Sequence, residues 1–168
     1  MNEFIEVTDP VEALKGTFRR HASGVAVLTT LDKDGAPVGF TATSVTSLGA
    51  NPPLISFNVA RGASSWPAIS TAQYVAMHTL GEENLALAKK MADDHTKRFS
   101  DDDWAAGPKG LPIFNDVTSV LIVEILQVVN IEKNAVVIAK VVEGLLGLEQ
   151  RALLYHERSY VVPGEILN

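Results

Sequence analysis

Cysteine is absent from the 168 residues. That removes disulfides, cysteine-ligated iron–sulfur clusters, thiolate zinc sites and cysteine nucleophiles together. Long apolar runs are absent too: stretches such as Ala135–Ala139 are far too short to cross a bilayer. Met1-Asn2-Glu3-Phe4 does not open the basic-then-apolar order of a secretion signal. A cytoplasmic protein is therefore expected. Positive charge is scarce, with 14 Lys and Arg against 20 Asp and Glu, a net charge of −6 and a pI near 5.1. Nucleic-acid binding draws most of its affinity from phosphate neutralisation, so this composition argues against it. An anionic ligand would have to be held locally, by hydroxyls, backbone N–H groups and one or two placed cations.

Hydrolase and nucleotide-fold signatures are missing as well: there is no GxSxG, GxGxxG or Walker sequence. The four histidines, His21, His78, His95 and His156, do not pair at metal-ligand spacing. Asp93-Asp94-His95 reads as a solvated helix exit. Asp101-Asp102-Asp103 reads as a helix start, since no calcium-ligand series follows it. Neither a metal site nor a dedicated catalytic residue is expected.

The length suits one domain over residues 1–168, and a hydrophobic fraction of 46% suffices for a core. Asp9, Pro10 and Glu12 predict a capped helix with Val11, Leu14 and Phe18 on one face. A hairpin should follow. Val25, Val27, Thr29 and Leu31 share one strand face, Asp32–Gly35 is the turn, and 38–45 returns. Pro52-Pro53 introduces a strand over 54–59. Residues 61–67 read as a loop opening a short helix, capped by Ser64 or Ser65. A strand over 74–80 precedes a helix over 82–92, with Leu85, Ala88 and Met91 or Ala92 on its packed face. Residues 93–116 read as one long loop, a length that usually marks function. Two β-branched runs, 117–130 and 134–146, suggest a hairpin, and 155–162 a last strand or tail. Strands in this order, without regularly alternating helices, point to a mainly β fold, an antiparallel split barrel with a few short peripheral helices.

Two clusters could carry chemistry. Thr41, Thr43, Ser44, Thr46 and Ser47 place five hydroxyls within seven residues at a strand end. Threonine is also a good strand former, so an ordinary exposed face explains them equally well. Ser64-Ser65 follows Arg61-Gly62 at a helix start, where free N–H groups, the helix dipole and Arg61 would favour a phosphate. A plain N-cap is the alternative. Both clusters flank the 52–59 strand, so one anion could be gripped by both.

These residues lie in a recognisable order. Gly39-Phe40-Thr41-Ala42-Thr43-Ser44-Val45-Thr46-Ser47-Leu48, Asn51-Pro52-Pro53-Leu54 and Arg61-Gly62-Ala63-Ser64-Ser65-Trp66-Pro67-Ala68-Ile69 come first. Leu85-Ala86-Leu87-Ala88, Lys97-Arg98-Phe99, Trp104, Gly110-Leu111-Pro112, Leu153-Leu154-Tyr155 and Tyr160 follow. Each block is weak alone; together they resemble the flavin reductase-like domain family from about Leu14 to Pro163. The resemblance implies an FMN-binding split barrel, with FAD possible, that is commonly a homodimer and uses NADH or NADPH as hydride donor. Some members pass reduced flavin to a separate monooxygenase. It implies that Thr41, Ala42, Thr43 and Ser44 run along the ring and ribityl chain. Ser44, Ser47, Arg61, Ser64 and Ser65 would meet the phosphate, Asn58 and Ala60 line the cofactor, and Lys97, Arg98 and Phe99 close over it. Asn134, Tyr155 and Tyr160 are the candidate nicotinamide contacts. Trp66 is expected to pack rather than stack on flavin.

Two positions depart from the family pattern. Glu132-Lys133-Asn134 stands where members often carry Gly-Asp-His, so Asn134 replaces a histidine. His78 stands where Asn is common, and reads as a core histidine satisfied by backbone. The first departure favours one alternative, a flavin-binding protein without reductase activity; a related flavin-dependent oxidase acting on an organic substrate is a further alternative. Hydride transfer between stacked rings needs a near-attack separation of ~3–3.5 Å rather than a protein nucleophile.

Overall fold

Residues 3–167 are described by the computed structural model. Asp9 caps helix α1 (Pro10–Arg20), its carboxylate accepting the Val11 N–H at 2.8 Å. Proline fits the first turn because its missing donor would be unpaired there anyway. No α1 residue is buried, however: Val11, Leu14 and Phe18 are 56%, 60% and 62% exposed. Periodicity finds the apolar face without revealing what covers it.

The chain continues through β1 (Ser23–Gly24), β2 (Ala26–Leu31), β3 (Pro37–Ala42), β4 (Thr46–Ala50) and β5 (Pro53–Ala60). After α2 (Trp66–Ile69) come β6 (Tyr74–Thr79), α3 (Leu85–Ala92), β7 (Trp104–Ala106) and β8 (Pro112–Phe114). The long strands β9 (Ser119–Ile131) and β10 (Asn134–Leu146) precede β11 (Leu154–His156) and β12 (Ser159–Val161). Seven strands form one antiparallel sheet in the order β3-β2-β6-β9-β10-β5-β4. Its two end strands, β3 and β4, are consecutive in the chain, separated by Thr43-Ser44-Val45 alone. A sheet whose ends are tied by three residues must curl upon itself, as strand twist allows. The fold is the mainly β, antiparallel one expected, and the two end strands are not hydrogen-bonded neighbours.

Curling gives the sheet an inner and an outer core. Leu28, Ile55, Phe57, Val75, Met77, Val123 and Val137 pack together inside, drawn from five strands. Val27, Ala76, Ile122, Leu87, Met91, Phe114 and Leu153 pack on the other face, under α3 and the 111–117 segment. The expected single buried face of the first hairpin is thus too simple: β2 is buried from Ala26 through Thr30 because both cores use it. The helix expected over 82–92 begins as a 3-10 turn, Glu82–Asn84, and buries Leu87, Ala88 and Met91; Leu85 is only half-buried. Residues 93–116 are not one irregular loop, since β7 and β8 pair within them. Trp104 faces Phe114 there, and Phe99 joins them. Among the described residues, no helix is long and apolar enough to cross a membrane.

His78 lies in the outer core with no exposed surface. Its Nδ1–H donates to the Val27 carbonyl at 3.0 Å, and its Nε2 accepts the Phe114 N–H at 3.2 Å. A carbonyl can only accept and an amide N–H can only donate, so the neutral ring with its proton on Nδ1 fits both. Burial pushes the His78 pKa down to about 4, outweighing the Val27 bond, which acts the other way. The unfolded chain therefore binds the proton first as pH falls. Stability from this group is full above about 6.5, declines toward pH 4 and levels below it, a span worth roughly 3 kcal/mol. Urea unfolding at pH 7 and 4.5 should show a stability loss roughly 2–3 kcal/mol larger in the native chain than in His78→Gln, which cannot titrate. Equal losses would refute this assignment.

Candidate functional site

A cleft of about 420 Å³ opens between β3 and the end of β5 that extends past its pairing with β4. That is within the range of small-molecule sites. One wall is Phe40–Ala42 of β3 with Thr43 and Ser44; the other is Asn58–Ala60 of β5 with Ala63–Ser65; Arg98 closes one side. Ser44 holds the walls together. Its Oγ accepts the Asn58 N–H at 3.0 Å and donates to the Asn58 carbonyl at 3.4 Å. Thr41 is committed to the fold, donating from Oγ1 to the Ala88 carbonyl of α3 at 2.7 Å. Thr43 and Ser64 make no side-chain hydrogen bond among the described residues, so their hydroxyls remain available to a ligand.

Arg98 is the cation of the cleft. Its Nη1 donates to the Gly39 carbonyl at 2.8 Å, and Nε and Nη2 donate to the Asp93 carbonyl at 3.1 and 2.8 Å. A guanidinium has five N–H donors, so two remain. Burial pulls its pKa down, against the attraction of Asp93 and Asp94, but a guanidinium stays charged at neutral pH. Gly39 permits this arrangement. A Cβ there would lie 2.8 Å from the Leu28 carbonyl, forcing a shift of backbone between β3 and β2, and 2.7 Å from Met91 Cε of α3. Arg98 and Ser64 also border a smaller chamber of about 90 Å³ with Val38, Gly39, His95 and Phe99.

Nine expected residues thus converge: Thr41, Ala42, Thr43, Ser44, Asn58, Ala60, Ser64, Ser65 and Arg98. Others lie elsewhere. Ser47 is exposed on β4 and does not line the cleft. Arg61 turns away: its backbone N–H donates to the Lys133 carbonyl and its Nη1 to the Glu132 carbonyl, both at 2.8 Å. Its guanidinium lies 5.8 Å from the Trp66 ring, so it braces the β9–β10 turn, where Glu132 adopts a φ of 52°. Lys97 is exposed and meets Asp94 at 3.9 Å, while Phe99 borders only the smaller chamber. Asn134 is the β10 partner of Ala60, at the cleft's edge. Tyr155 and Tyr160 pair edge-to-face at 5.2 Å in the β1-β11-β12 sheet, outside the cleft lining.

The helix-dipole expectation also needs correction. α2 is a single turn of four residues, and its N-cap Ser65 makes no side-chain capping bond. So short a helix has little dipole, and the cation that faces the cleft is Arg98. Phe40, Val59 and Ala63 line the cleft without having been singled out, although all three adjoin expected residues. His95, read as a solvated helix exit, borders the smaller chamber; nothing in its local sequence signals this.

Comparison with known proteins agrees with this geometry. The flavin reductase like domain matches residues 18–163. An NADH:FMN oxidoreductase of Rhodococcus qingshengii is 36% identical over 89% of this chain and 80% of its own length. The reductase subunit HsaB of a flavin-dependent monooxygenase from Rhodococcus jostii is 32% identical over 64% of this chain and 54% of its own. The crystal structure of a flavin reductase domain protein from Arthrobacter sp. FB24 aligns at a TM-score of 0.90 and 44% identity, covering 94% of this chain and 98% of that one. With the ordered sequence blocks, the rolled sheet and the cleft between β3 and β5, these matches show that the chain belongs to the flavin reductase-like domain family.

Proposed function

We propose that this chain, acting as one domain, is an NAD(P)H-dependent flavin reductase that binds FMN in the cleft between β3 and β5. The observation that carries this reading is the meeting of free hydroxyls with a guanidinium that keeps two N–H donors, at one side of a 420 Å³ cleft. Flavin supplies the redox chemistry when bound, accepting a hydride from a nicotinamide ring. The protein's part is to hold and orient. Arg98 and Ser64 grip the phosphate in place of Arg61, with charge-assisted bonds that suit an acidic chain lacking a general positive field. Thr43 and Ser44 run beside the ribityl chain, and Ala42 and Asn58–Ala60 flank the ring. Asn134, the β10 partner of Ala60, is the residue we assign to hydrogen-bond the donor's carboxamide.

The named relatives support this chemistry. A reductase that supplies a monooxygenase must also release its product, which fits a cleft open to solvent and gripped by few groups. We place this activity in the cytoplasm, with a partner monooxygenase as the recipient. We also place α1 in a homodimer contact. Exposed Val11, Leu14 and Phe18 make an apolar helix face that a second copy would cover.

Anaerobic mixing of the FMN-loaded protein with NADH or NADPH should bleach the flavin's visible absorbance. Bound flavin that stays oxidised would leave only a binding protein. Arg98→Met should weaken FMN about tenfold and riboflavin little, as loss of a charge-assisted bond implies; equal losses by titration would show the phosphate to lie elsewhere. Sedimentation should find a dimer that Phe18→Glu dissociates, whereas a monomeric native protein would contradict the α1 contact.

A further inference from the structure

We infer that His78, outside the cleft, is a positioning residue for the flavin phosphate, acting through Phe114 and Phe99 on Arg98. The inference rests on the reading that Arg98 faces the phosphate. Arg98 lies on the segment between α3 and β9, which crosses the outer core and whose strands β7 and β8 form a two-stranded sheet of their own among the described residues. Two buried side-chain hydrogen bonds seat this segment on the barrel wall. Thr29 Oγ1 donates to the Pro112 carbonyl at 2.6 Å, and His78 Nε2 accepts the Phe114 N–H at 3.2 Å.

From Phe114 the contact runs by rings. Phe114 meets His78 edge-on at 5.7 Å and stacks on Phe99 at 5.5 Å; Phe99 in turn meets Trp104 edge-on at 5.4 Å. Phe99 is covalently next to Arg98, so the seat of Phe114 sets where Arg98 leaves the segment. Lys90 of α3 clamps the same place from above. Its Nζ bonds Asp101 at 3.0 Å and Asp103 at 2.6 Å and lies 5.5 Å from the Phe114 ring. Burial opposes the charge on Lys90, but the hydrogen bonds to Asp103 and Asp101 and the attraction of their charges together hold its pKa up. Close-packed rings transmit a displacement because they leave no slack to absorb it.

His78 has two backbone partners, and two amide substitutions separate them. Asn can keep a donor near the Val27 carbonyl but is too short to accept from Phe114. Gln carries its carbonyl out to about the place of Nε2, keeping the Phe114 bond and losing the one to Val27. His78→Asn should therefore raise the FMN dissociation constant about tenfold while moving riboflavin less than about twofold, and His78→Gln should leave both near the native values. In an Arg98→Met background, His78→Asn should add nothing, because both changes remove one interaction. Equal losses of FMN and riboflavin, equal effects of Asn and Gln, or additivity with Arg98→Met would each overturn the inference. A native protein that does not prefer FMN over riboflavin would overturn the phosphate reading and this inference with it. A native preference that His78→Asn leaves intact would overturn this inference alone. Should His78→Asn fail to fold, hydrogen exchange on the native chain decides. The Phe114 amide should be strongly protected, and exchange as fast as at Ser100 or Asp102 would overturn the proposal.

Discussion

The site depends on a constraint of connectivity. β3 and β4 end the sheet on opposite sides yet follow one another in sequence, and Thr43-Ser44-Val45 is all the chain between them. The link curls the sheet until its ends approach, and Ser44 then fixes the gap by bonding both backbone groups of Asn58. The hydroxyl-rich run is thus two things at once. Ser44 and Thr41 serve the scaffold, against Asn58 and α3, while Thr43 remains open to a ligand. Arg98 completes the arrangement by covering the free edge of β3 at Gly39. An edge carbonyl that would otherwise face water becomes an anchor for the cleft's cation.

Much of the fold was legible because its signals are local. Asp9-Pro10 caps α1, Asp32–Gly35 turns the first hairpin, and the two β-branched runs become β9 and β10. The 93–116 segment misled because its order comes from packing. The three-residue strands β7 and β8 have little periodicity of their own, and Trp104, Phe99 and Phe114 are held by contacts across the outer core. β2 misled for a related reason: alternation signals one buried face, whereas a strand between two cores is buried on both.

The cleft was legible as a neighbourhood more than as a set of roles. The hydroxyl clusters on either side of β5 do converge. Sequence could not choose between Arg61 and Arg98, since both lie in loop-like stretches, 61–67 and 93–116. The choice is made in three dimensions by the strained turn at Glu132, whose carbonyl takes Arg61, and by the edge of β3, which takes Arg98. His78 illustrates the same limit. Its burial could be expected from a strand of apolar neighbours, but its bond to Phe114, 36 residues later, could not.

The proposed function requires the cleft between β3 and β5 to hold the flavin by its phosphate. A crystal structure of the FMN complex tests it most directly. Phosphate oxygens are expected within hydrogen-bond distance of the Arg98 guanidinium and Ser64 Oγ, with the ring between Ala42–Ser44 and Asn58–Ala60. Phosphate on Arg61, or flavin in the cavity between Phe18 and Tyr155, would contradict it.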